Sequence, residues 1–303
     1  MDSKLKTQDS ITEVSQEPPG NAESASPERV PGSEAPQRAT RISITPARTT
    51  RCYLSLIIPA YNEEQRLPVT LARVAEYLAQ RDFSYELLVV DDGSRDATRD
   101  LVRAFAASHE WVRLVQYDDD AGHPLNRGKG FAVRSGVLHA AGRDVLFSDA
   151  DLSTPIEEME KLLPLITRGD CDVAIASRGL PESNLAIHQP WYRELMGRTF
   201  NKMVQGIAVP GIFDTQCGFK AFRGDVAKRL FGLAQIDGFG FDTEILFLAR
   251  KLGYRIAEIP VTWVHKDDSR VNPFSAPFQM IGELLQVRLN DLRGAYDEDA
   301  GTS

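Results

Sequence analysis

From Cys52 onward, short apolar runs of strand length alternate with longer stretches whose apolar residues recur at helical spacing. Leu54–Ala60 (LSLIIPA) predicts a strand ended by Pro59. Pro68–Arg81 then carries apolar residues at helical spacing, Val69, Leu71, Ala72, Val74, Ala75 and Leu78. Glu86–Val90 (ELLVV) is strand-like and stops at Asp91-Asp92-Gly93. Asp96–Ala107 predicts a helix, Val112–Tyr117 a strand and Lys129–Ala141 a helix. Asp144–Ser148 predicts a strand, Pro155–Thr167 a helix and Val173–Ser177 a strand. Strands that are apolar almost throughout, alternating with amphipathic helices, indicate an α/β fold with a mostly parallel sheet and helices on both faces. The second half is less regular. Trp191–Ile207 reads as a helix, Asp214–Phe222 as a loop and short strand, Phe241–Leu252 as a helix and Arg255–Val264 as a strand. Pro277–Arg293 is amphipathic, and no internal repeat appears.

Composition changes this picture mainly at the ends. Residues 1–50 hold six of the seventeen prolines among Ser, Thr, Glu and Gln, too little apolar surface to offset chain entropy, so a disordered tail is expected there. Residues 51–296 then form the folded domain and 297–303 a short tail. The net charge of −8 argues against nucleic acid as a partner, because such binding needs a basic footprint. Cys52, Cys171 and Cys217 are widely spaced and match no zinc or redox motif, so buried, inert thiols in a reducing compartment are expected. The first thirty residues lack the apolar core of a secretory signal, and no apolar run approaches the length of a membrane span. The expected location is cytoplasmic, either free or peripheral on the cytosolic face of a membrane. Pro277–Arg293 is the candidate contact, read either as an interfacial helix or as a helix packed on the sheet.

Open parallel sheets bind ligands beyond the carboxyl ends of their strands. Polar residues cluster there: Tyr61-Asn62-Glu63 after the first strand, Asp91-Asp92 after the second, Asp149-Ala150-Asp151 after the fourth and Arg178 after the fifth. Asp149 and Asp151, at i and i+2, project to one side and could share a cation; hard carboxylate oxygens suit Mg²⁺ or Mn²⁺. A turn with two solvated acids has the same sequence. The Thr154-Pro155-Ile156-Glu157 string, which reads as a capping box with Pro at the first helical position, favours a fixed connection. Asp91-Asp92-Gly93-Ser94 reads either as a turn with a helix cap or as a nucleotide contact. Asn126-Arg127-Gly128-Lys129-Gly130 opens a helix, where glycines allow close approach and Lys129 adds a charge for an anion; a plain loop is the alternative. Arg178, Arg193 and Arg198 are phosphate-binding candidates, although Arg193 and Arg198 lie about 140° apart around one helix.

In this order, LSLIIPAYNEEQRLP, LLVVDDGSRDAT, NRGKGFAVRSGV and LFSDADLSTPI resemble the GT-A (Rossmann-like) fold of glycosyltransferase family 2. ASRGL, YRELMGRTFNKMV, FDTQCGFKAF, GFGFDTEILFLARKLGYRIAEIPVTW and HKDDSRV resemble its dolichyl/polyprenyl-phosphate branch, the β-glucosyltransferases above all. The resemblance covers about Tyr53 to Arg293. It implies that Pro59, Tyr61 and Glu63 line the nucleotide site, that Asp92 contacts the base and that Lys129 approaches base or diphosphate. Asp149 and Asp151 would be the metal-binding DxD, and Arg178 and Arg193 would hold the acceptor phosphate. Asp214, Gln216 and Glu244 would sit in the acceptor pocket, with Ser269-Arg270 in a loop where relatives carry Ser-Lys. Relatives of the mannosyl branch have Gln where this chain has Ser153, which leans away from GDP-mannose.

The implied activity is metal-dependent, inverting transfer of a hexose from a nucleotide-diphosphate sugar, UDP-glucose first, to dolichyl or polyprenyl phosphate. The competing readings are a GDP-mannose donor, another phosphorylated or hydroxyl acceptor with Asp214 as base, and a nucleotide-sugar binding protein without turnover.

Overall fold

The computed structural model describes residues 40–45, 52–185, 208–264 and 276–297. Its strands are β1 (Arg41–Ile44), β2 (Cys52–Ala60), β3 (Tyr85–Asp91), β4 (Val112–Asp118), β5 (Gly142–Ser148), β6 (Val173–Ser177), β7 (Asn184–Leu185), β8 (Phe219–Arg223), β9 (Ile256–Pro260) and β10 (Thr262–Trp263). Its α-helices are α1 (Leu67–Leu78), α2 (Thr98–Ser108), α3 (Lys129–His139), α4 (Met159–Arg168), α5 (Gly224–Leu233), α6 (Phe241–Lys251) and α7 (Ala276–Leu292). Eight strands form one sheet in the order β1-β4-β3-β2-β5-β8-β6-β9. The run from β4 to β5 is parallel, β8 is antiparallel to both its neighbours, and β9 is parallel to β6. A separate two-stranded ladder joins β7 and β10.

Alternate residues of each central strand enter opposite cores. Ile57, Leu88 and Val90 face one, while Leu54, Leu56, Ile58, Leu87 and Val89 face the other. Burial on both faces explains why these strands show no polar alternation. Leu71 and Val74 of α1, Val102 of α2 and Leu162 and Ile166 of α4 cover the second face. Val133 of α3, Leu230 of α5, Ile245 of α6 and Leu284 of α7 cover the first. The expected layers are therefore present.

Three expectations are corrected. The tail does not run unbroken to residue 50, because β1 pairs antiparallel with β4 and Thr45 exchanges hydrogen bonds with Leu114 through its N–H (3.1 Å) and hydroxyl (3.0 Å). The capping box after the DxD does not form. Ile156–Glu158 is a 3₁₀ turn ahead of α4, and the Thr154 hydroxyl lies 3.6 Å from Cys217 Sγ. Asp151 caps locally instead, accepting from Ser153 N at 2.8 Å, where Leu152 takes a left-handed φ of 47°. The strand expected over 255–264 is divided between β9 and β10, with Pro260, which lacks an N–H, at the break. The helix expected at 191–207 lies outside the described residues. All three thiols are free and buried, and burial pushes Cys52 and Cys217 up to about 11, as expected of inert cysteines. Among the described residues, no helix is long and apolar enough to cross a membrane.

Candidate active site

The carboxyl ends of β2, β3, β5 and β6 lie along one edge of the sheet, and the loops leaving them carry the charged residues. After β2, Asn62 adopts a φ of 54°, and its side chain accepts from Arg95 N at 2.8 Å, tying this loop to the one after β3. Glu63 is 8% exposed and grips Arg66 with both oxygens at 2.7 Å. Pro59 is half-buried, whereas Tyr61 is exposed at the edge.

The aspartates after β3 hold backbone. Asp91 accepts from Gly93 N and Ser94 N and from Arg99 Nε at 2.5 Å. Asp92 accepts from Tyr117 Oη, Arg127 N (2.8 Å) and Gly128 N (3.0 Å). It is thus the anchor of the loop that delivers Lys129, a role the sequence did not reveal. Burial raises its pKa, only partly offset by these donors. The glycines of that loop make room for protein, not only for a ligand. A Cβ on Gly128, where φ is 107°, would lie 2.5 Å from Asp237 O, and one on Gly130 would lie 2.6 Å from Ile236 O.

Lys129, the first residue of α3, reaches Asp149 Oδ1 at 2.6 Å. Burial alone would lower its pKa, but the carboxylates of Asp149, Asp242 and Asp151 outweigh burial and raise it. Gly218 makes the space for Asp149: a Cβ there would fall 2.1 Å from Oδ2, and the two backbones meet through Asp149 N to Gly218 O at 3.0 Å. Thr70 of α1 binds Ala150 O, fixing the middle of the Asp149–Asp151 turn. Beneath lies a buried ion pair, Lys220 with Asp242, in which Lys220 also donates to Cys217 O at 2.7 Å. The sequence reading missed it. A lysine inside the apolar strand Phe219-Lys220-Ala221-Phe222 was the available signal, since buried lysines need a partner.

Arg178, just past β6, is held by Asp214 through Nε (2.7 Å), Nη2 (2.9 Å) and its own N–H (2.9 Å). Burial alone would raise the Asp214 pKa, yet the Arg178 guanidinium and the N–H donors hold it below the usual carboxylate range. Asp214 is therefore a partner for Arg178 and a poor base, which corrects that reading. Gln216 N donates to Asp214 Oδ1 at 3.2 Å, so both residues belong to one loop next to Arg178. Glu244 does not join them. It is fully buried, and accepts from Gln235 N (2.9 Å), Ile236 N (2.9 Å) and Tyr296 Oη (2.6 Å). Two backbone donors and a phenol saturate this carboxylate, so in the described structure it clamps the loop ahead of α6. Arg193, Arg198, Ser269 and Arg270 lie outside the described residues.

Asp149 and Asp151 supply hard carboxylate oxygens on one turn. Among the described residues, no group of three or more His, Cys, Asp or Glu could enclose a metal ion. This donor set fits Mg²⁺ or Mn²⁺ shared with the oxygens of a bound diphosphate and with water, and does not fit a closed structural site.

A family model for glycosyl transferase family 2 matches residues 55–231, from β2 through most of α5. The chain belongs to glycosyltransferase family 2. A dolichyl-phosphate beta-glucosyltransferase of Dictyostelium discoideum is 37% identical over 255 residues, covering 80% of this chain and 76% of that one. Its namesake from Homo sapiens is 35% identical over 272 residues, covering 86% and 82%. Among solved structures, glucosyl-3-phosphoglycerate synthase from Mycobacterium tuberculosis in complex with UDP has a TM-score of 0.55 at 23% identity, covering 78% of this chain and 80% of that one. Mannosyl-3-phosphoglycerate synthase from Rubrobacter xylanophilus reaches 0.57 at 17% identity, covering 83% and 77%. These neighbours share the GT-A fold. In this family 2 glycosyltransferase, Lys129, Asp149, Asp151, Arg178, Asp214 and Lys220 fall inside the matched span, while Asp242 follows it.

Proposed function

We propose that this glycosyltransferase moves glucose from UDP-glucose to dolichyl or polyprenyl phosphate with inversion. The observation that carries the proposal is a pair of distinct cationic centres around Asp149. Lys129 touches that carboxylate at 2.6 Å, and Arg178, held by Asp214, feels its charge from the other strand end. A donor diphosphate and an acceptor phosphate are two anions, and two preset cations suit them. The names of the two relatives above suggest the acceptor class and the sugar.

A phosphate monoester is largely dianionic at neutral pH, with a second pKa of about 6, so it needs no general base. That agrees with Asp214 being committed to Arg178. Arg178 would hold the acceptor phosphate, joined by Arg193, with one oxygen free to attack the anomeric carbon. The bond from that carbon to the diphosphate breaks as the new C–O bond forms, UDP leaves, and a single displacement turns an α-linked donor into a β-linked product. Lys129 would stabilise charge on the departing diphosphate. Bound at Asp149 and Asp151, Mg²⁺ or Mn²⁺ would neutralise that same charge. Pro59 and Tyr61 would flank the nucleotide, with Asp92 supporting the site through the Lys129 loop.

The test is a substrate matrix on the purified chain with Mg²⁺ or Mn²⁺. UDP-glucose and GDP-mannose are each offered short-chain polyprenyl phosphate in detergent or 3-phosphoglycerate. Glucose on the polyprenyl phosphate, β-linked by NMR coupling, is the expected product. Preference for GDP-mannose, for phosphoglycerate, or an α-linked product would overturn the corresponding part.

A further inference from the structure

Helix α7 presents two apolar faces. Leu284 and Val287 are buried against the core. Turned away from them, Leu285, Leu289 and Leu292 are 56%, 39% and 84% exposed. With half-buried Ile281, these four residues fall within an arc of about 80° at 3.6 residues per turn. Exposed Arg288 and Arg293 border the stripe. The acids of the helix have partners: Glu283 accepts from Gly240 N and Gln279 Nε2, and Asp291 from Lys251 at 2.7 Å, with Arg288 at 3.8 Å.

We infer that this outer face of α7 docks on a lipid bilayer, laying the helix in the headgroup plane. The inference rests on the proposed acceptor, whose isoprenoid chain stays in the bilayer while its phosphate must reach Arg178. Three features favour lipid over protein. Among the described residues the stripe is aliphatic, whereas protein interfaces concentrate their energy in Trp, Tyr and Arg, with Leu under-represented. Its arginine border complements anionic headgroups. The helix is also tied to the active edge: Glu283 holds Gly240, and the adjoining Ile236–Asp237 backbone packs on Gly128 and Gly130 beside Lys129. Docking through α7 therefore brings that edge to the membrane surface.

The full chain is floated with vesicles of phosphatidylcholine, alone or with a minority of phosphatidylserine. Wild type should float, more with phosphatidylserine. The triple substitution Leu285→Gln, Leu289→Gln, Leu292→Gln should reduce binding roughly tenfold or more. Leu138→Gln, at a 44% exposed leucine on α3, should leave binding unchanged. Transfer to short-chain acceptor in detergent should survive the triple change, while transfer to acceptor in vesicles falls with binding. Wild type that fails to float, or a triple variant that floats normally, overturns the inference. So does a dimer in lipid-free sedimentation that the triple change dissociates. Leucine-dependent flotation without transfer to any polyprenyl phosphate would sink the proposed activity and leave the docking face standing.

Discussion

Gly218 offers a test that separates the geometry of the Asp149 carboxylate from the stability of the fold. In Gly218→Ala the new Cβ would stand 2.1 Å from Asp149 Oδ2, 2.3 Å from Cγ and 2.5 Å from Oδ1. To reach an ordinary contact of 3.4 Å the carboxylate must retreat by about 1.3 Å. Its ion pair with Lys129, now 2.6 Å, cannot keep its present geometry through a displacement of that size. A reacting group misplaced by about 1 Å costs roughly a hundredfold in rate, so kcat should fall by about that factor. Half-saturating Mn²⁺ should rise, because one of its two carboxylates has moved. Stability should change by less than about 1 kcal/mol, since the displaced carboxylate is partly exposed and can turn to water. The assay is steady-state transfer over a Mn²⁺ series, with thermal unfolding alongside. A variant within twofold of wild type in kcat, with the same metal dependence, would refute the reasoning. Loss of folded protein would also refute it, by showing that backbone and not Asp149 absorbs the methyl.

The layers were legible because two-sided burial writes itself into composition: β2 and β3 are apolar at consecutive positions, and only a covered parallel sheet tolerates that. The edge was legible because polar residues follow each of these strands. What each polar residue holds was not. Asp92, Asp214 and Glu244 look alike in a sequence, yet one anchors a loop after β4, one clamps Arg178, and one saturates two backbone donors. Those partners lie up to 52 residues away, in Tyr296 for Glu244, and local spacing carries no trace of them. The glycines of the Lys129 loop had the same limit: close approach was legible, but its object, the Ile236–Asp237 backbone, was not. Strand β1 escaped for a different reason. Four residues among Pro and Ser give too short an alternation to stand out, and pairing with β4 supplies what propensity does not.

Asp151→Asn should abolish most transfer while leaving the thermal midpoint near wild type, and EDTA should do the same to the parent; transfer that survives either treatment excludes a metal role. Glu244→Ala should destabilise the chain by about 3 kcal/mol in urea, since three donors lose their acceptor, with acceptor KM unchanged in the folded fraction. A raised KM with full stability would return Glu244 to the acceptor pocket. For Asp214→Asn the pH dependence decides. The Asp214 pKa is depressed in the folded chain, so its pairing with Arg178 contributes stability that is complete above the unfolded value of about 4. That stability is lost as pH falls through the folded value, which lies lower still. The variant should therefore be less stable than wild type by about 2–3 kcal/mol at neutral pH, because a buried guanidinium loses its charged partner. The gap should hold down to about pH 4 and narrow only below it. Urea midpoints measured from neutral pH to about pH 3 give the comparison. A gap that is constant to the acid end, or one already closed at pH 5, would mean that the Arg178–Asp214 pair does not hold the proton off Asp214, and the case against it as a base would fall with it.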